Sequence, residues 1–217
     1  DKSSLSKSNF VLSLKMMNKM SRINRKRNIV TVEAGAMLFD LTIYLKKNGY
    51  FIFNVPGGKN VSLGGAISGN VHGRFSSKKF ANFGDNIESL KIVDEKGKIK
   101  ILKKNTKLFY RVIGGQSSFG IIVEATLRVN KIRSYSFIEK KTFIKNLKEF
   151  KKFNNNNEKY FGYLNIFDRK NFSINCTSIS PLREDNKNIS NFSMRDINLP
   201  RFFGIFLNRF SIRILYI

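Results

Sequence analysis

The sequence predicts an α+β fold, and three features of the chain predict it. Strand, strand, helix and strand patterns follow one another over residues 10–55. A glycine-rich stretch, Val55–Arg74, comes next, and beyond it lie a β-hairpin and a further apolar strand. The strands alternate with a period of two, whereas residues 37–47 change to a helical period. With 217 residues the chain is long enough for one or two domains and a sizeable core.

In chain order, Asp1–Asn9 is polar and serine-rich, Phe10–Leu14 (FVLSL) alternates as a strand, and Lys15–Met20 reads as a connector. Ser21–Asn28 is a basic turn, and Ile29–Glu33 (IVTVE) is a second strand ended by Ala34-Gly35. From Met37 to Lys47 the residues Leu38, Leu41, Ile43 and Leu45 share much of one helical face. Lys46 and Lys47 stand in the last turn and Asn48-Gly49 closes it, as a helix stop requires. Tyr50–Val55 returns to strand character.

The stretch Val55–Arg74 (VPGGKNVSLGGAISGNVHGR) holds Gly57, Gly58, Gly64, Gly65, Gly69 and Gly73, out of 15 glycines in the whole chain, and the only histidine, His72. Glycine permits a positive φ and a close approach to the main chain. A mobile surface loop and a buried, ligand-lining turn are both readings of such a composition. The interleaved Val55, Val61, Leu63, Ala66, Ile67 and Val71 favour the second, because a free linker would not be so apolar. Exposed amides in such a turn can hold the oxygens of a pyrophosphate. The spacing is neither the G-x-G-x-x-G of a dinucleotide fold nor the G-x-x-x-x-G-K-[ST] of a Walker loop.

Phe75–Phe83 is a basic, aromatic loop leading into Gly84-Asp85-Asn86. Ile87–Val93 and Lys98–Leu102 flank Asp94–Gly97 as a hairpin, and Thr106–Arg111 reads as a helical turn. Val112–Gly120 is a second glycine cluster, in which Gly114 and Gly115 by themselves read as a helix C-cap, before the strand Ile121–Val129. The character changes at Lys131. Arg133–Phe143 looks like a strand and Ile144–Phe153 like a lysine-rich helix. Tyr160–Phe167 and Asn171–Ser180 form a hairpin pattern around Asp168–Lys170. Residues 181–200 are loop-like, and Arg201–Ile217 is rich in Phe and Ile with arginines at intervals.

Composition narrows the chemistry. The 40 Lys+Arg against 15 Asp+Glu give a formal charge of +25, consistent either with compositional drift towards Lys, Asn, Ile and Phe or with a functional basic face. One cysteine excludes an internal disulfide and a cysteine metal site, and one histidine argues against zinc or histidine-bound iron, so no metal is expected. No apolar run of about 20 residues is present, which predicts a soluble or peripheral protein.

The order P-G-x-x-x-V-[ST]-x-G-G-A-I-x-x-x-x-H-G over Pro56–Gly73 resembles the second flavin-contacting segment of the vanillyl-alcohol oxidase family of FAD-linked oxidases. Within it the decaprenylphosphoryl-β-D-ribose oxidase branch is most similar, with sugar-lactone oxidases as more distant cousins. Two further segments carry the likeness. Phe83-Gly84-Asp85-Asn86-Ile87 fits the F-G-x-x-[VI] that follows the family's His-Gly pair. Gly114–Thr126 fits its G-G-x-x-x-x-G-I-I-x-x-A-T.

The resemblance implies a PCMH-type FAD-binding domain over residues 1–130 and the start of an α+β substrate or cap domain over 131–217. It implies FAD contacts from Asp1, Gly57, Ser62, Leu63, Gly64, Gly65, Gly69, Asn70, Val71, His72 and Ile122. Asp1 would be the last letter of the family's first pyrophosphate loop, G-x-S-x-G-D, so the chain reads as a piece of a longer protein. The uncapped Arg201–Ile217 reads the same way, and the family's far C-terminal tyrosine and lysine have no counterpart here.

The implied activity is oxidation of a sugar CH–OH group by hydride transfer to FAD, the substrate being a polyprenyl-phosphoryl pentose, or alternatively a sugar lactone or alditol. His72 is the candidate catalytic or flavin-contacting residue; a structural histidine bonded to a nearby carbonyl is the other reading. FAD is expected to be held non-covalently: relatives attach it through a first-loop histidine or a cysteine, and Cys176 lies in the other domain as a half-buried strand residue. A rival class is a basic protein binding nucleic acid or anionic lipid. No helix-turn-helix, zinc-finger or RNP pattern supports a nucleic-acid partner, and none is expected. The expected location is cytoplasmic, with peripheral contact at the inner face of the membrane.

Overall fold

A computed structural model describes residues 11–58, 60–74, 80–132, 137–157, 159–165 and 173–181. The chain divides into two compact units, Asp1–Arg133 with Asn157–Phe161, and Ser134–Asn156 with Gly162–Ile217. Helices and antiparallel sheets are mixed within it, as an α+β chain requires.

The first unit is built on a four-stranded antiparallel sheet of β1 (Ile29–Glu33), β3 (Ile87–Val93), β4 (Ile99–Lys103) and β5 (Ile121–Arg128), in the order β1-β5-β3-β4. Alternation sets which face is buried: Val30 and Val32, Leu90 and Ile92, and Ala125 and Leu127 all point inward. Register shifts in the β3–β5 pairing, between Ile87 and Ser89 and between Lys91 and Ile92, keep both strands facing one core. On the other face the Thr31 and Thr126 hydroxyls meet at 3.0 Å and Lys91 pairs with Glu124 at 2.8 Å.

Helix α1 (Leu38–Lys47) covers the sheet with Leu38, Leu41 and Leu45 at i, i+3 and i+7. Ile43, expected on the same face, stands about 200° from Leu41 and is 37% exposed. Asn48 caps the helix and Gly49, at φ 79°, turns the chain into β2 (Tyr50–Phe51). The strand expected over Tyr50–Val55 is therefore short. It ends at Phe51, three residues before Asn54 takes φ 56°, and its partner is the two-residue β6 (Asn130–Lys131).

Of the strand expected at Phe10–Leu14, residues 11–14 are irregular. Val11 and Leu12 are 73% and 70% exposed, with no core to alternate against. The sheet edge is met instead by Lys19–Ser21, where Glu33 N–H donates to Lys19 O at 2.9 Å and Ser21 N–H to Thr31 O at 2.8 Å. Asp94–Gly97 closes the expected hairpin, with Lys100 reaching back to Asp94 at 2.8 Å.

A three-stranded sheet, β7 (Phe137–Ile144), β9 (Ile174–Pro181) and β8 (Tyr160–Leu164) in the order β7-β9-β8, and helix α4 (Leu147–Asn156) belong to the second unit except for Tyr160 and Phe161. The expected turn Asp168–Lys170 and the segment Arg201–Ile217 lie outside the described residues. Cys176, expected half-buried, is 1% exposed, because Gly162 provides no side chain to hold the neighbouring strand away from its sulfur. Burial pushes its thiol pKa up.

Candidate functional site

The glycine stretch is not all loop: it contains a short helix, α2 (Leu63–Ser68), started by Ser62. The Ser62 hydroxyl accepts the Gly65 N–H at 3.3 Å, a cap that stabilises by about 1 kcal/mol. Two glycines inside a helix cost roughly 1 kcal/mol each. Leu63 and Ile67 are both 0% exposed, and burying side chains of this size contributes about 1.5–3 kcal/mol apiece. Burial outweighs propensity, so the helix forms.

Its position follows from main-chain bonds. Leu63 N–H donates to Ala36 O and Gly64 N–H to Ala34 O, both at 2.8 Å, while Ala34 N–H donates to Val123 O at 2.9 Å. This relay places the start of α2 one residue from Ile122, which is buried in β5 opposite Ile92. A Cβ on Gly64 would sit 3.1 Å from the Ala34 Cβ, so the close approach needs glycine there.

At the other end of α2, Gly69 caps the helix and Asn70 turns at φ 40°. Here the second glycine cluster arrives. Gly114 N–H donates to Ile67 O at 2.9 Å, Gln116 N–H donates to Ser68 O at 3.0 Å, and the Ser68 and Ser117 hydroxyls lie 3.2 Å apart. Bonds between residues 47 to 49 apart in sequence thus join the two glycine clusters into one structure. Helix α3 (Lys107–Val112) ends with Gly114 at φ 78°, so the C-cap reading of that glycine also holds, and its N–H does the joining.

Three asparagines fasten the rest. Asn70 Oδ1 accepts Gly84 N–H at 3.0 Å. Asn86, fully buried in the 3₁₀ turn Phe83–Asn86, donates to Phe53 O at 3.0 Å and Phe83 O at 2.9 Å and accepts Phe53 N–H at 3.3 Å. Asn54 donates to Phe80 O, and its Cα lies against Gly73, where a Cβ would come to 2.9 Å. Sequence reasoning missed Asn54 and the fastening role of Asn86. The available signal was that asparagine is the non-glycine residue best suited to the left-handed region and able to bond backbone groups locally. The expectation that glycines supply positive φ in this stretch is corrected: the residues with positive φ are Asn54 and Asn70, whereas the glycines permit close approach or leave backbone bare.

Each expected contact residue can be placed except Asp1, which lies outside the described residues. Gly57, Gly65 and Gly69 are exposed, Leu63 is in the core, and Ser62, Gly64, Asn70 and Val71 are half-buried. Val71 is held by its N–H to Ala66 O at 3.1 Å and by its carbonyl accepting Phe83 N–H at 2.8 Å. His72 is exposed, with Nδ1 3.4 Å from Gly73 O.

The main chain is open to approach at two of these glycines. A Cβ on Gly57 would meet nothing within 4 Å, and one on Gly65 would meet only the Ser62 hydroxyl, at 3.2 Å. Asn54 Oδ1 is buried without a hydrogen-bond partner among the described residues. Glycine backbone uncovered by side chains at Gly57 and Gly65, with the Ser62 hydroxyl beside it, would let the oxygens of an FAD approach the main chain, so the residues fit that group. The described residues contain no group of His, Cys, Asp and Glu that could hold a metal ion, nor a helix long and apolar enough to cross a membrane.

The FAD-binding domain family matches residues 2–103. The chain is 27% identical over 131 residues to decaprenylphosphoryl-beta-D-ribose oxidase of Mycolicibacterium smegmatis, covering 59% of this chain and 28% of that protein. It is 29% identical over 144 residues to the mitochondrial L-galactono-1,4-lactone dehydrogenase 1 of Oryza sativa subsp. japonica, covering 65% and 24%. The chain therefore spans under a third of the length of these curated relatives. Among solved structures, BBE-like #28 from Arabidopsis thaliana superposes with a TM-score of 0.56 at 20% identity, covering 76% of this chain and 36% of that one, a likeness of fold.

Proposed function

We propose, for a chain that belongs to the FAD-linked oxidases with a PCMH-type FAD-binding domain, that the whole protein oxidises a CH–OH group of a polyprenyl-phosphoryl pentose. The observation that carries this reading is the joining of Val55–Arg74 to Val112–Gly120 around bare glycine backbone. When bound, non-covalently, FAD supplies the acceptor for the hydride that leaves the carbon. The backbone left uncovered at Gly57 and Gly65 would lie against the cofactor, while Asn70 and Val71 hold the turn that presents His72. With Nδ1–H directed at Gly73 O, the His72 imidazole keeps Nε2 as an acceptor for the hydroxyl proton, so that CH–OH becomes C=O as hydride and proton depart separately. The family reading is supported by the match over residues 2–103, and the pentose by the oxidase relative. A lipid-linked substrate brings with it peripheral contact with the inner face of the cytoplasmic membrane. The lactone dehydrogenase relative favours a second reading, a sugar lactone as substrate.

Two measurements on the full-length protein test this. Denaturation should release all flavin as free FAD. Under anaerobic conditions a polyprenyl-phosphoryl ribose should bleach the flavin faster than a sugar lactone does. Bleaching by the lactone alone would select the second reading, and flavin that neither compound reduces would end both.

A further inference from the structure

One end of the first unit carries a cluster of exposed cations. Arg22, Arg25, Lys26 and Arg27 lie in and beside the turn that leads into β1, and all four are exposed. Three of the 13 arginines in the sequence fall within these six positions, which a general enrichment in lysine does not explain. The turn is closed by Asn24 N–H to Ile29 O at 2.8 Å and Ile29 N–H to Asn24 O at 3.3 Å. Asn24 Oδ1 accepts the N–H groups of Lys26 at 3.1 Å and Arg27 at 3.0 Å, so the cations are displayed on an ordered backbone.

Tertiary contacts bring further cations to the same end. Tyr44 donates to Ser21 O at 3.1 Å, which ties α1, whose last turn carries Lys46 and Lys47, to the residue that precedes the basic turn. Val129 N–H donates to Asn28 O at 2.8 Å, with Lys131 two residues further on. The carboxylates of β1 and α1 are elsewhere. Glu33 ends its strand at the opposite side, holding Lys19 N–H at 2.8 Å, and Asp40 is in the first turn of its helix. Glu88 is engaged by Arg128 at 2.7 Å and Lys104 at 3.4 Å. Among the described residues none of the four turn cations is in an ion pair. From the lengths of β1 and α1, this end lies roughly 15 Å from α2.

We propose that this basic end is the surface by which the protein docks on an anionic lipid bilayer. The proposal rests on the membrane contact put forward above and names the residues that make it. Arginine forks and lysine ammoniums suit phosphodiester headgroups, and juxtaposed cations sum their attraction to a charged bilayer. A protruding turn meets a flat surface readily. A single-stranded nucleic acid would need aromatic platforms, and the one ring in these contacts, Tyr44, has its hydroxyl committed to Ser21.

The test is co-sedimentation of the full-length, FAD-loaded protein with phosphatidylcholine vesicles, with or without phosphatidylglycerol. Binding should need phosphatidylglycerol and should be lost near about 0.5 M salt, where screening shortens the field to a few ångströms. Replacing Arg22, Arg25, Lys26 and Arg27 by Ser should lower the partition coefficient by more than about tenfold, since each cation near such a surface contributes roughly fivefold. A charge-matched control with Lys96, Lys98, Lys103 and Lys107 replaced by Ser should bind like the parent. Absorbance of bound FAD and a thermal melt check that both variants are folded. A parent protein that binds neither vesicle overturns the membrane contact altogether. A parent that binds while the turn variant binds equally well overturns only the assignment to this end. Preferential capture by single-stranded RNA at equal phosphate overturns it in favour of nucleic acid.

Discussion

Asn70 Oδ1 accepts the Gly84 N–H at 3.0 Å, and through that bond the end of α2 is tied to the 3₁₀ turn that opens β3. Asn70 holds this position at φ 40°, so both its amide and its tolerance of the left-handed region are in use. Asn70→Ala should lose about 1–3 kcal/mol from the stranded Gly84 N–H, and about 1–2 kcal/mol more from backbone strain. Asn70→Gly removes the bond without the strain and should fall between alanine and the parent in urea melts. Equal stability of all three would mean that the bond contributes nothing.

Glycines at two positions should respond in opposite ways. A Cβ on Gly84 would lie 2.5 Å from Ile113 Cγ2 and 2.8 Å from Asn70 Oδ1, so Gly84→Ala should destabilise by about 1–3 kcal/mol through overpacking. Gly57 has nothing within 4 Å, so Gly57→Val should melt like the parent yet bind FAD more weakly, as read by flavin fluorescence quenching. Undiminished FAD affinity in Gly57→Val would remove that residue from the cofactor contacts.

His72 is exposed, and its one hydrogen bond among the described residues is the 3.4 Å contact with Gly73 O. In the full-length protein His72→Ala should leave the melt and the bound flavin in place while anaerobic reduction by substrate slows by roughly 10²-fold, the scale of one positioned proton-transfer group. A merely structural histidine would give the reverse: a lowered melt and an unchanged rate per bound flavin.

Acid stability should report on Asp94. Its hydrogen bond from the Lys100 side chain, followed by those from the Lys98 and Lys96 N–H groups, holds its carboxyl below the ordinary carboxylate value of 3.8. A depressed folded pKa contributes stability that is present above the unfolded value and is lost as pH falls through the folded one. Stability should therefore decline below about pH 4, and Asp94→Asn should flatten that part of the profile while lowering stability at neutral pH. A variant with the parent's slope between about pH 4 and 2 would exclude Asp94 as the titrating group.

Local pattern determined much of this protein without reference to its tertiary structure. The alternation of Ile29–Glu33, Ile87–Val93 and Ile121–Arg128, and the stop at Asn48-Gly49, depend on near neighbours along the chain. The order of residues over Pro56–Gly73, taken with Phe83–Ile87 and Gly114–Thr126, resembled a flavin-binding family. Only the tertiary structure decided what those glycines do. Helix α2 forms because Leu63 and Ile67 find a core supplied by distant strands, and propensity alone argued against it. FVLSL alternates as a strand would, but Val11 and Leu12 meet no core and residues 11–14 stay irregular. The left-handed positions went to Asn54 and Asn70, whose bonding partners, Phe80 and Gly84, lie 26 and 14 residues further along the chain. The grouping of charge was equally hidden, since Tyr44 meets Ser21 and Val129 meets Asn28 only in the folded chain. Periodicity is a property of consecutive residues; a hydrogen-bond partner or a shared surface is a property of the folded chain.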